Sequence, residues 1–161
     1  MIRNSIFTLA LVLGSLSTVR TSAQTSLPPA SPNAAKASLT VSLAGIRNDK
    51  GQVFIQLWNA PDGFPKQGNR AYKFVVIDAN KAVKGTVTAT FANLAPGTYA
   101  VSTLHDENRN GKMDTNAFGI PKEGWAVSNN VLTHTHAPSF DQASFQLSSS
   151  GQKMMSIALH Y

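Results

Sequence analysis

Cysteine is absent from the chain. Neither a disulfide nor a lipid-modified cysteine at a cleavage site is therefore available, and the fold must rest on its apolar core. Sustained helical periodicity is missing as well, and Gly119, Pro121 and Gly124 keep helix out of the stretch after Asp114. The longest early apolar run, Ile6 to Leu13, is too short for a permanent membrane span. Lys and Arg stand singly, so a formal net charge of +6 carries no nucleic-acid patch. No nucleophile elbow, phosphate loop or helical zinc motif occurs. These absences point away from an enzyme and away from a nucleic-acid partner.

The N-terminus has the pattern of an export signal. Arg3 supplies the positive start, Ile6 to Leu13 the apolar run and Thr21-Ser22-Ala23 the small residues for cleavage, giving a signal peptide over 1–23. Export to the periplasm or the extracellular space follows, with no membrane span once the signal is removed. Residues 24–37 are rich in Ser, Pro and Ala, with Pro28, Pro29 and Pro32, and read as a flexible linker. Residues 38–161 form the remaining single domain, expected as a monomer.

That domain alternates. Leu39, Val41 and Leu43 fall on one face with Thr40 and Ser42 on the other, the period of a half-buried strand. Asn48 to Gly51 reads as a hairpin turn returning into Gln52 to Asn59, with Val53, Ile55 and Leu57 inward. Further strands are expected over Tyr72 to Asp78, Val83 to Phe91, Thr98 to Leu104, Trp125 to Ser128, Ala143 to Leu147 and Lys153 to His160. Seven or eight short strands predict an all-β domain, a single Greek-key β-sandwich. A closed barrel competes, and the uneven loop lengths favour the sandwich.

The strand ending at Leu104 feeds an acidic loop. Asp106, Asn108, Asn110 and Asp114 occupy the first, third, fifth and ninth positions, with Gly111 at the sixth. This is the spacing of a calcium loop, in which short oxygen-bearing side chains wrap a hard cation around a sharp glycine turn. Lys112 would give its backbone carbonyl. The twelfth position is Ala117, where such a loop wants a bidentate glutamate, so Glu123 is the nearest substitute. Read without a cation, the same residues build a surface turn through side-chain to backbone hydrogen bonds.

Three aromatic rings, Trp58, Phe118 and Trp125, are candidate platforms for a sugar or a protein partner. The competing reading, which is favoured, has Phe118, Ile120 and Trp125 folding the long loop back onto the sandwich end. His134 and His136 could share a strand face and ligate a transition metal, but an exposed pair in a Thr-rich loop is the commoner arrangement. Asp106, Glu107, Asp114 and Glu123 do not present the separated acid and base of a glycosidase.

The run Asn93-Leu94-Ala95-Pro96-Gly97-Thr98-Tyr99-Ala100-Val101 leads into His105-Asp106-Glu107-Asn108. It continues through Asn116-Ala117-Phe118-Gly119-Ile120-Pro121-Lys122-Glu123-Gly124-Trp125 and Ser128-Asn129-Asn130. Together these resemble the bacterial domain of unknown function 2141 family. The resemblance implies a prealbumin-like or immunoglobulin-like sandwich in the cell envelope and supplies no reaction. A weaker resemblance, over Asn93 to Asp114, is to surface-adhesin repeats whose acidic loop binds calcium. The expectation is thus a non-enzymatic exported sandwich with a calcium-stabilised loop, presenting a surface to an envelope protein or polysaccharide.

Overall fold

The computed structural model describes residues 36–133, 136–149 and 151–161. The expected signal peptide, nearly all of the linker, and His134 lie outside those residues. Eight strands are present: β1 (Ala37–Ala44), β2 (Gln52–Trp58), β3 (Lys73–Asp78), β4 (Thr86–Leu94), β5 (Gly97–Asp106), β6 (Gly124–Val127), β7 (Phe145–Leu147) and β8 (Gln152–Ala158). They form two sheets, one ordered β4-β1-β8 and the other β3-β2-β5-β6, with β7 pairing the start of β5. This is the expected all-β sandwich. Its winding is Greek-key in kind, since β5 returns beside β2 after the chain has crossed to the other layer for β4.

The alternation seen in sequence sets the packing. Leu39, Val41 and Leu43 of β1, Val53, Ile55 and Leu57 of β2, and Val101 and Ile157 all turn into the space between the sheets and are almost fully buried. Each such side chain is worth about 1.5–3 kcal/mol on burial, which is how a chain without cross-links holds together. β1 sits centrally in its sheet, antiparallel to β4 and parallel to β8. A parallel pair needs a long connection, and here the rest of the domain supplies it.

A second, smaller cluster closes one end. Trp58, Ala100, Val127, Phe140 and Ala143 pack together, with Phe64 edge-on to Trp58 at 5.5 Å and to Phe140 at 5.8 Å. The Pro- and Gly-rich loop after β2 is anchored there by Phe64. Trp58 is only 1% exposed and its indole N–H donates to Ser102 Oγ at 2.9 Å. It is a core residue, which removes it from the expected binding rings.

Two local expectations are corrected. Asn48 to Gly51 does not close a hairpin, because β1 and β2 lie in different sheets; the turn carries the chain from one layer to the other. The strand expected from Ala143 to Leu147 is Phe145–Leu147 alone, and Ala143 instead ends a one-turn helix, α1 (Phe140–Ala143). Ser139 and Gln142 form a capping box that satisfies its first amides, and a Ser-x-x-Gln start outweighs β character over so short a span.

Gly51 is indispensable for a reason beyond its turn. It has φ +73°, and a Cβ there would lie 1.9 Å from the Asp106 carbonyl oxygen. The crossover thus presses directly onto the end of β5. Gly111 has a similar φ of +77° with open space around its would-be Cβ. Gly111→Ala should cost only the left-handed strain, about 1–2 kcal/mol. Gly51→Ala should cost that plus about 1–3 kcal/mol for displaced backbone. Urea unfolding of the two variants side by side checks the difference.

Candidate functional site

Asp106 is the last residue of β5 and is fully buried. Its Oδ1 accepts from the Asn110 amide at 3.1 Å, and its Oδ2 from the Gly111 amide at 2.9 Å and from Gln52 Nε2 at 2.9 Å. Gln52 is directly opposite Asp106 in the β2–β5 register, so the strand pairing itself delivers that donor. Asn108 Oδ1 and Asn110 Oδ1 take the amides two residues on, at 3.0 Å each. Their side-chain amides both donate to Asp114, at 2.6 and 2.8 Å. The sequence-predicted set Asp106, Asn108, Asn110 and Asp114 is therefore brought together around one turn.

Glu123 reaches this loop from the far side. It is 4% exposed, and its two oxygens accept from the Glu107 amide at 2.9 Å and the Asp114 amide at 3.0 Å. One carboxylate thus spans the start and the end of the acidic turn. Beyond it the loop closes on itself: Asn116 Oδ1 accepts from the amides of Phe118 and Ile120, and Thr115 bridges Pro121. Phe118 stands at the apex of that tip.

An ion pair locks the base. Arg47, on the interlayer crossover, donates to both oxygens of Glu107 at 2.6 and 2.9 Å and to the Lys122 carbonyl at 3.2 Å. Its guanidinium also lies 4.1 Å above the Tyr161 ring. The Arg47 contact holds the Glu107 carboxyl below the usual glutamate range, against the opposing pull of burial. Burial pushes the Tyr161 hydroxyl up. His105 is fully buried beneath, with Nε2 2.9 Å from the Lys50 carbonyl and Nδ1 2.7 Å from the Tyr161 hydroxyl. A carbonyl only accepts, so Nε2 carries a hydrogen and donates it to Lys50.

The loop forms one wall of a groove of 1310 Å³ over the outer face of the larger sheet. Its floor is an apolar row set by strand register: Phe54 lies opposite Leu104, and Leu104 opposite Trp125. Phe74, on β3, adds a third ring, and Met113, Phe118 and Ile120 overhang from the loop. Phe118 is 87% exposed and Ile120 57%. The expectation that they fold the loop back onto the sandwich is overturned for both. The order they were expected to supply comes instead from Asp106, Glu123 and Asn116, through hydrogen bonds to backbone amides. Trp125 is half-buried in the floor, beside His160.

Sequence reasoning missed Arg47, Gln52, Glu107 and His105, whose roles depend on contacts between distant segments. It also missed Phe54, Phe74 and Leu104. Their signal was present: β2 and β3 carry aromatic or aliphatic residues on the face expected to be polar, the mark of a strand apolar on both sides. His136 is exposed, with Nδ1 2.9 Å from the Ala137 carbonyl, and its expected companion His134 is outside the described residues.

A family model described as an uncharacterised protein conserved in bacteria, DUF2141, matches residues 41–155. The chain belongs to that family. Comparisons with curated proteins and with solved structures found no match. The DUF2141 span opens inside β1 and ends inside β8, so it covers most of the sandwich, the acidic loop and the groove apart from His160 and Tyr161.

Two predictions test how this DUF2141 loop is held. Glu123→Gln replaces one accepting oxygen by a donor and leaves either the Glu107 or the Asp114 amide unpartnered. It should lower stability by about 1–3 kcal/mol, measured by chemical denaturation. The Glu107 carboxyl is depressed in the folded state, so its contribution is present above the ordinary glutamate range and is lost as pH falls through the lowered folded value. Arg47→Gln should therefore destabilise the protein at neutral pH, and the gap to the parent should close in strong acid. Melting curves taken from pH 7 downward read it.

Proposed function

We propose that this protein is a non-enzymatic, exported binding module whose acidic loop is ordered by calcium and walls a ligand groove in the cell envelope. The observation that supports the reading is that the cation-spaced residues and the groove wall lie on one loop. The residues spaced for a cation, and Met113, Phe118 and Ile120 that border the groove, belong to a single hydrogen-bonded turn. Ordering the loop therefore shapes the groove. The export pattern of residues 1–23 supports the location.

The donor set suits calcium. Asp106 and Asp114 offer carboxylates, Asn108 and Asn110 offer amide oxygens, and Lys112 offers its backbone carbonyl, all hard oxygens of the kind this ion takes. Among the described residues no three His, Cys, Asp or Glu side chains converge, so the amide and carbonyl oxygens are needed to complete a shell. The Asn108 and Asn110 amides now donate to Asp114, standing where positive charge would stand. Calcium would supply fixed positive charge between the two aspartates. Glu123, expected as a replacement ligand, serves in this reading as a brace on two backbone amides.

The absence of a reaction is supported by the acids themselves. Asp106, Glu107, Asp114 and Glu123 are each occupied by N–H donors of the protein itself, which leaves no separated acid and base pair facing a substrate. A second reading, a polysaccharide-binding module, draws on the exposed Phe118 ring with Trp125; it loses Trp58 to the core.

Calcium should bind the folded protein and raise its melting temperature. At a hundredfold excess over the dissociation constant the linkage is worth about 2.7 kcal/mol. Asp114→Ala should abolish that shift with little change in the metal-free melting temperature, because the Asp114 carboxylate holds only side-chain amides. Calorimetry and thermal melts with calcium, with magnesium and with chelator make the measurement. A melting temperature indifferent to calcium sinks the reading.

A further inference from the structure

The groove is chemically one-sided. Lys66 and Lys112 stand on its rim with His136, while among the described residues no Asp, Glu or Arg side chain lines it. Acids on the flanking segments are already engaged: Asp62 with Arg70, Asp78 with Arg109 at 2.6 Å, Glu107 with Arg47, and Asp106, Asp114 and Glu123 with amides. An anion arriving at the rim meets uncompensated positive charge.

The floor asks for something without hydroxyls. Phe54, Leu104 and Trp125 form a row across three adjacent strands, with Phe74 beside it. The polar groups on that floor, Gln56 and Ser102, are bonded to each other at 3.0 Å, and Ser102 also receives the Trp58 indole. A sugar laid here would bury most of its hydroxyls against the row of Phe54, Leu104 and Trp125, a desolvation cost that one buried, unpartnered His160 Nε2 does not repay. A hydrocarbon chain needs no hydrogen bonds and gains from every methylene removed from water.

We propose that the groove binds a single-chain anionic amphiphile, its acyl chain lying along Phe54, Leu104 and Trp125 and its acid group held by Lys66 and Lys112. The proposal rests on the binding-surface reading above for the groove and supplies its ligand class. Mostly apolar clefts with a few placed charges are the usual form of such sites. The wall carrying Met113, Phe118 and Ile120 would cover the chain from the loop side, which accounts for exposed apolar residues at the tip of a polar turn.

The two tryptophans make the test specific, since Trp58 is buried in the core and Trp125 lies in the groove. The full chain is titrated with a terminally brominated undecanoate, below the concentration at which the acid self-associates. Bromine quenches a tryptophan it touches. Saturable quenching is expected, and Trp125→Phe should remove it while leaving Trp58 emission intact. Phe74→Ser with Phe118→Ser, two exposed positions that leave the core alone, should weaken binding at least tenfold. Lys66→Gln with Lys112→Gln should do the same for the acid and leave the matching brominated alcohol unaffected.

The proposal is overturned by an absence of saturable quenching, by quenching that survives Trp125→Phe, or by equal affinity for acid and alcohol in the parent protein. It is equally overturned if an anionic polysaccharide or an acidic peptide binds through Phe74 and Phe118 while the acid does not. A calcium-dependent melting shift without acid binding would remove only this ligand assignment. Acid binding without any calcium response would remove the cation from the preceding reading and leave the amphiphile in place.

Discussion

The site depends on unpaired backbone amides finding acceptors. A loop that leaves β5 and returns as β6 has only an isolated bridge at its tip to satisfy its N–H groups, and a buried amide without a partner costs about 1–3 kcal/mol. Asp106 and Glu123 answer this from the two ends. Asp106 takes the amides of Asn110 and Gly111, and Glu123 those of Glu107 and Asp114. Both are buried, and a buried carboxyl group without such donors would be costly. Loop shape and carboxylate burial are the same fact seen from two sides. The Arg47–Glu107 pair then fastens the loop base to the crossover between layers, which Gly51 allows to come within contact of Asp106.

The two outer faces of the sandwich differ in what they can do. On the smaller sheet, Thr40 and Ser42 of β1 stand opposite Thr90 and Thr88 of β4, and Thr40 bonds Thr90 across the strands at 3.0 Å. That face is wettable. On the larger sheet the equivalent positions are Phe54, Phe74 and Leu104. An antiparallel sheet commonly leaves one face to water, and here one of the two sheets does not follow that rule. Neither propensity nor core formation requires rings on that outer face, which is why a groove with a ligand is the economical account of them.

The sheets were largely legible from alternation, because period two together with β-branched residues reports a half-buried strand whatever its neighbours. Leu39, Val41, Leu43, Val53, Ile55 and Leu57 all point where that rule puts them. Pairing was not legible: nothing local says that β1 runs parallel to β8, or that Asn48–Gly51 crosses layers instead of closing a hairpin. In the site, the spacing of Asp106, Asn108, Asn110 and Asp114 carried through to a shared turn. Phe118 and Ile120 did not follow expectation. An apolar residue in a long loop was read as an anchor, whereas hydrogen bonds from Asn116 and Glu123 order the loop and leave those side chains outside. Trp58 failed in the opposite sense, since its neighbours in the core come from β5 and α1, far along the chain.

A cation and a groove ligand would act on the same element, and linkage then constrains them both. If calcium stiffens the turn that presents Met113, Phe118 and Ile120, a ligand touching those side chains binds a wall that has already lost its freedom, and the ordering cost is met once. Reciprocity requires the ligand to tighten calcium by the same factor. The coupling has a short physical route: Lys112 sits between the oxygen-bearing positions and Met113, and Glu123 joins the turn to the strand that bears Trp125. Rim charge complicates the sign, because a bound divalent cation adds positive potential beside Lys112 and so favours an acid head more than a neutral one. Ordering and electrostatics therefore push in one direction for an anion, whereas a neutral chain would feel the ordering alone.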